Sequence, residues 1–131
     1  MINNHQAQDT YLRTQVQTAT PGELTTLLFN GCIKFMKQAI DAIKRKDYES
    51  KNIFIKKAVD IVDELTITLN HNYEISKQLE QLYSYIKDRL FLANLKGSSE
   101  YIDECILLMV ELRDTWVQAI KSLQTQAKVS S

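Results

Sequence analysis

One proline and three glycines punctuate 131 residues. Tight turns lean on those two residue types, so their scarcity disfavours an all-β chain and favours long helices with few connections. The proline stands in Thr20-Pro21-Gly22-Glu23. Here Thr can accept from exposed N–H groups, Pro fits the first helical turn and Glu three residues on completes a capping box. The spacing predicts a first long helix from Pro21 to about Lys46. The closing Lys44-Arg45-Lys46 reads as a helix terminus, where the dipole favours cations, rather than a phosphate site.

Asp47 can cap a second helix over about 48–70. Asn70-His71-Asn72 reads as a tight connection, because Asn tolerates the left-handed conformation that ends helices. A third helix follows from about Tyr73 to Lys96, where Gly97 stops it. Ser98 or Ser99 caps a fourth that runs to about Gln124. Apolar spacing supports the division. In the fourth helix Cys105, Met109, Leu112, Trp116, Ala119 and Leu123 alternate steps of four and three, a bundle seam. The second aligns Phe54, Ala58, Ile61 and Leu65, with Ile55, Val59 and Val62 beside them. The third aligns Ile75, Leu79, Leu82, Ile86 and Ala93. Short loops make sequential helices antiparallel neighbours, so the expected fold is all-α, an antiparallel up-down four-helix bundle with an N-terminal arm or short helix. Residues 1–19 are the arm, 20–125 the bundle and 126–131 a flexible tail.

Composition removes several functions. Sixteen basic residues balance sixteen acidic ones, so the basic field expected of a nucleic-acid binder is missing. The longest apolar run, Cys105–Val110, is far short of the roughly 18 residues that span a bilayer. The opening MINNHQAQDT has neither a basic start nor an apolar stretch, so no secretory signal is visible. Two cysteines make no disulfide framework, and a cytosolic protein is the simplest reading.

Catalytic chemistry is equally thin. A di-iron bundle needs Glu-x-x-His pairs, and no Glu here is followed by His at that spacing. His5 and His71 lie in the arm and in a turn, without ligand spacing. Cys32 and Cys105 sit on apolar seams, where reduced core thiols are normal. No glycine-rich phosphate loop exists. The expectation is no enzyme, no metal and no cofactor.

The first helix is greasier than one bundle face requires. Leu24, Leu28 and Phe35 form one stripe and Phe29, Cys32, Met36, Ala39 and Ile43 another, with Leu27, Ile33 and Ile40 spreading the surface further. A bundle helix needs about three apolar positions in seven. The surplus faces the arm, a partner or an unusually deep core. Ile53 and Ile67 fall off the second helix's stripe in the same way. Leftover apolar surface on neighbouring helices is either imperfect amphipathicity or a helix-binding groove. Three polar residues near the seams allow two readings as well. Arg89 pairs a carboxylate and Asn94 ends its helix, or both, with Asn52, hydrogen-bond a bound backbone. Tyr11 either tacks down the arm or occupies the groove as a stand-in for a ligand.

Several segments in order carry a resemblance. They are Tyr11 and Val16 in the arm, then TATPGELTTLLFNGCIKFMKQA over 18–39, similar to a Thr-Ala-Ser-Pro-x-x-Leu start with a Leu-Tyr-Asp-Gly-Ala segment. Asn52, Ile55, Lys57-Ala58, Ile61-Val62 and Glu64-Leu65 follow. LEQLYSYIKDRLFLAN over 79–94 and Glu111-Leu112-Arg113 with Trp116 complete the pattern. With these the chain resembles the flagellin-specific export chaperones, the FliS family, over nearly its whole length. Phe29 and Asn30 depart from the family's Tyr and Asp, and Gly22 replaces a commoner polar residue.

The resemblance implies a cytosolic helical bundle that binds the carboxyl-terminal segment of flagellin, keeps it from polymerising early and helps deliver it to the type III export machinery. The export apparatus and other flagellar regulators are implied as further partners, with no nucleic acid and no membrane insertion. On this basis the expected groove is built from helices one, two and three. Leu24, Leu28, Ile55, Val59 and Tyr85 supply apolar contact there, and Asn52, Arg89 and Asn94 fix direction. Tyr11 and Val16 cover the groove until a client displaces them. The competing expectation is a structural or oligomerisation bundle that pairs with its own copy and has no flagellin client.

Overall fold

A computed structural model describes residues 13–14 and 17–130, with side chains to residue 127. Tyr11 and Val16 therefore lie outside the described residues. Four helices follow one another: α1 Pro21–Lys44, α2 Tyr48–Ile67, α3 Ile75–Lys96 and α4 Glu100–Ser130.

Their ends follow from local chemistry. The expected capping box opens α1: the Glu23 amide donates to Thr20 Oγ1 at 3.2 Å and the Thr20 amide to Glu23 Oε2 at 3.1 Å. The helix stops at Lys44, short of the expected Lys46, because Lys46 turns left-handed at φ 58°. There its N–H donates to Ile43 O at 3.0 Å and that of Asp47 to Ala42 O at 2.9 Å, the paired bonds of a Schellman ending. Asp47 then caps α2 by accepting from the Ser50 amide at 3.1 Å and its hydroxyl at 2.7 Å.

A left-handed lysine is a strained one, since its Cβ crowds the following carbonyl. Replacing Lys46 by Gly should therefore raise the unfolding free energy by about 0.5–1 kcal/mol, the relief exceeding the extra freedom glycine gives the unfolded chain. Urea denaturation of the two proteins checks this; a lower midpoint for the variant contradicts it.

The connection from α2 to α3 differs from expectation. The second helix ends at Ile67 with a right-handed Thr68, and α3 starts only at Ile75. Neither Asn70 nor Asn72 is left-handed; instead Asn70 Oδ1 accepts from the Asn72 amide at 3.1 Å, an Asx-type turn. Gly97, at φ 64°, ends α3 as expected. α4 continues to Ser130, past the Gln124 at which the pattern was expected to fade. No helix-breaking residue lies between those positions, and ordinary propensity carries it on.

Successive helices run antiparallel and close into a ring in which α1 packs on α2 and α4, and α3 on α2 and α4. Cross-helix bonds set the register. Asn30 Oδ1 accepts from Arg113 at 3.1 Å, and the Trp116 indole donates to Gly22 O at 3.0 Å, so numbering rises along α1 as it falls along α4. Cys32 Sγ approaches Ala58 O, and Cys105 Sγ approaches Ile86 O, each at 3.7 Å. Met36, Leu65, Ile86, Leu90, Ile102 and Met109 fill the centre. Burial pushes both thiols up to about 12, the mutual influence of the two adding at Cys32. They are core residues, as their seam positions implied.

The surplus apolar surface of α1 is not left open. Leu24, Leu27, Leu28, Phe35, Ile40 and Ile43 are all half-buried, because α1 is wedged between two neighbours along much of its length. The large apolar side chains left open lie on the other helices and on the α2–α3 connection.

Candidate functional site

The residues expected to form one groove divide among three places. Leu24 and Leu28 sit half-buried on the N-terminal half of α1, with Leu28 packed against the core. That is the opposite end of the bundle from Asn52 and Asn94. Tyr85 and Arg89 face α4, where both hold Glu104: the Tyr85 hydroxyl donates to one carboxylate oxygen, and Arg89 Nε and Nη2 reach the other at 3.0 and 2.9 Å. The Arg89 guanidinium also stacks 4.4 Å from the Tyr101 ring centroid. Arg89 thus pairs a carboxylate in the free chain. A helix places residues two apart on different sides, so positions 85 and 89 turn away from the side that meets α2.

The Tyr85 hydroxyl bond lowers the Glu104 pKa. Desolvation works against it, and Arg89 adds to the lowering. The sign follows by linkage: a depressed carboxyl stabilises the fold above its usual value of 4.5, and that contribution vanishes as pH falls through the lowered value. The urea midpoint should therefore drop further between pH 7 and pH 3 in the parent than in Glu104→Gln. Equal drops contradict the assignment.

Asn52, Val59 and Asn94 do share a face. Asp63 of α2 pairs with Lys87 of α3 at 2.6 Å, so the α2 line through Asn52, Val59 and Asp63 looks toward α3. Lys87, Phe91 and Asn94, spaced by four and seven, look back toward α2, and Leu95, a step further round the helix, points outward beside them. Ile55 belongs to this face only as its floor: at 3% exposed it is a core residue and offers a client no contact in this state.

Residues outside the expected set give the face its character. Phe91 and Leu95 are 67% and 72% exposed, and Tyr48 stands 54% exposed at the start of α2. Between them Lys51 is buried, its Nζ donating to Asn94 O at 2.9 Å and lying 5.5 Å from the Tyr48 ring centroid. Phe91 and Leu95 were detectable, since two large apolar residues four apart off the main seam form an exposed pair. Nothing in the sequence marks Lys51, because lysine at a helix start reads as solvated.

A second concavity, an open cleft of about 530 Å³, lies between the start of α1 and the second half of α4. Ala19, Thr26, Leu27, Val117 and Ile120 are among its walls, and none of the expected site residues that fall among the described ones is. Among the described residues no three His, Cys, Asp or Glu side chains are grouped to hold a metal, and no helix is long and apolar enough to cross a membrane.

The sequence model of the family described as "Flagellar protein FliS" matches residues 3–123. This chain belongs to the FliS family. Its relatives include the flagellar secretion chaperone FliS of Bacillus subtilis, 44% identical over 112 residues that cover 86% of this chain and 84% of that protein. Flagellar secretion chaperone FliSB of Pseudomonas aeruginosa is 32% identical over 113 residues, covering 85% and 90%. A crystal structure of a bacterial flagellar chaperone superposes with a TM-score of 0.74 at 19% identity, over 92% of this chain and 99% of that one. The last likeness speaks for the fold: this FliS-family chain is a helical bundle of the same shape.

Proposed function

We propose that the chain is a cytoplasmic chaperone that binds the carboxyl-terminal helical segment of flagellin, prevents its premature polymerisation and supports type III flagellar secretion. The observation that carries this reading is the face of α2 and α3, where Tyr48, Phe91 and Leu95 stand open in a chain whose curated relatives are flagellar secretion chaperones. A filament subunit's terminal amphipathic helix has no packing partner before assembly, and its apolar stripe otherwise finds another copy. A face with a complementary stripe covers it by contact alone, without catalysis. From Tyr48 to Ile67 this face extends for about 28 Å, room for a client helix of about 20 residues. The client orders as it docks, which lowers affinity per unit area and permits release at the export gate.

The test is calorimetric titration of a flagellin carboxyl-terminal peptide into the full chain, with sedimentation of the chain alone. The expected result is a monomer that binds one peptide with heat at micromolar concentration. A stable self-dimer that ignores the peptide overturns the reading in favour of the oligomerisation bundle.

A further inference from the structure

Lys51 is the one charged side chain that is buried among the described residues, at 6% exposed. It stands where α2 begins and α3 ends. An ammonium brings three N–H donors and a full charge, and here a single carbonyl, Asn94 O, and the Tyr48 ring are its partners. No described carboxylate comes within ion-pair distance. Asp47, a turn away, is already taken by Ser50 and Arg45. Asn94 supplies a second spare group, its side-chain Oδ1, which is sealed from solvent and accepts from no donor. One corner of the α2–α3 face therefore holds a cation lacking an anion and an acceptor lacking a donor. Buried polar groups are ordinarily paired, and unpaired ones are costly. Phe91, three positions before Asn94 on the helix surface, and Leu95, which follows it in the chain, are both exposed and form an apolar lip beside it.

We infer that this corner captures the free carboxyl terminus of the client. The terminal carboxylate pairs with Lys51, the N–H of the last residue donates to Asn94 Oδ1 once the half-buried Asn94 amide turns outward, and the final apolar side chains rest on Phe91 and Leu95. A chain terminus carries carboxylate and N–H on one residue, which matches the two unmet needs. Desolvation of the ammonium, a large part of the cost of an inward ion pair, is already incurred in the free chain, so the arriving anion meets a cation stripped of most of its water. The inference rests on reading the α2–α3 face as the client groove and adds which end of the client lies where.

The test compares one flagellin carboxyl-terminal peptide with a free terminus against the same peptide amidated, each titrated into the parent, Lys51→Met and Lys51→Gln. Lys51→Gln keeps an N–H donor for Asn94 O without the charge, and circular dichroism melts establish that each variant is folded. Amidation should weaken binding to the parent about tenfold and binding to either variant less than about twofold. Equal affinity of the two peptides for the parent overturns the inference, as does a loss of the same size in all three proteins. A loss that appears on neutralising a peptide Asp or Glu, and not on amidation, overturns the terminal assignment. If neither peptide binds the parent, the chaperone reading fails first and takes the inference with it.

Discussion

Replacing Phe91 and Leu95 together by Asp should weaken binding of a flagellin carboxyl-terminal peptide by about thirtyfold or more while leaving the melting temperature within about 2 °C of the parent. Both side chains are about two-thirds exposed or more, so the folded chain loses little packing when they change. On docking, each would bury area worth about 1.5–3 kcal/mol, and part of that survives the ordering costs of association. Two carboxylates instead force desolvation of charge against an apolar client. Leu107→Asp is the control: that residue is 72% exposed on α4 and should leave affinity unchanged. A double variant that binds like the parent moves the groove elsewhere. Leu28→Asp then becomes the informative substitution, since it probes the α1 end that the sequence pattern favours.

The second large effect is on stability. Leu90 is fully buried on α3 and belongs to the central cluster with Met36, Val62, Ile86 and Met109. Leu90→Ala removes buried methyl groups and leaves a void that the surrounding helices fill only in part, at about 2–5 kcal/mol. For a domain of this size that is a large share of the whole stability and about 7–18 °C in Tm. Peptide affinity, measured well below the melt, should stay close to the parent's. A change of under 1 kcal/mol would mean that the bundle centre repacks freely.

Much of the fold was legible because helix boundaries are written in short-range chemistry. Thr20 with Glu23, Asp47 with Ser50, and Gly97 each act within one turn, and the apolar steps of three and four identified the inward faces. The boundaries that moved are those where another conformation won: the Schellman ending at Lys46, the Asx-type turn at Asn70 and the unbroken run of α4. The site was legible only in part. Sequence spacing identifies which residues share a helix face, but not which neighbour that face meets. Spacing therefore groups Tyr85 and Arg89 with Asn52, although they turn toward α4 and Glu104. The excess of apolar residues on α1 is plain in the sequence, but in the structure these side chains are half-buried. Lys51 was invisible because its burial depends on the last turn of α3, more than forty positions away in the chain.

Both native thiols are enclosed in the bundle centre and held protonated at neutral pH. A single cysteine introduced on the outer surface, at Ser84 for example, is then the one group a maleimide dye reaches in the native protein. Arrival and departure of a client become readable as fluorescence in real time, with Cys32 and Cys105 left in place.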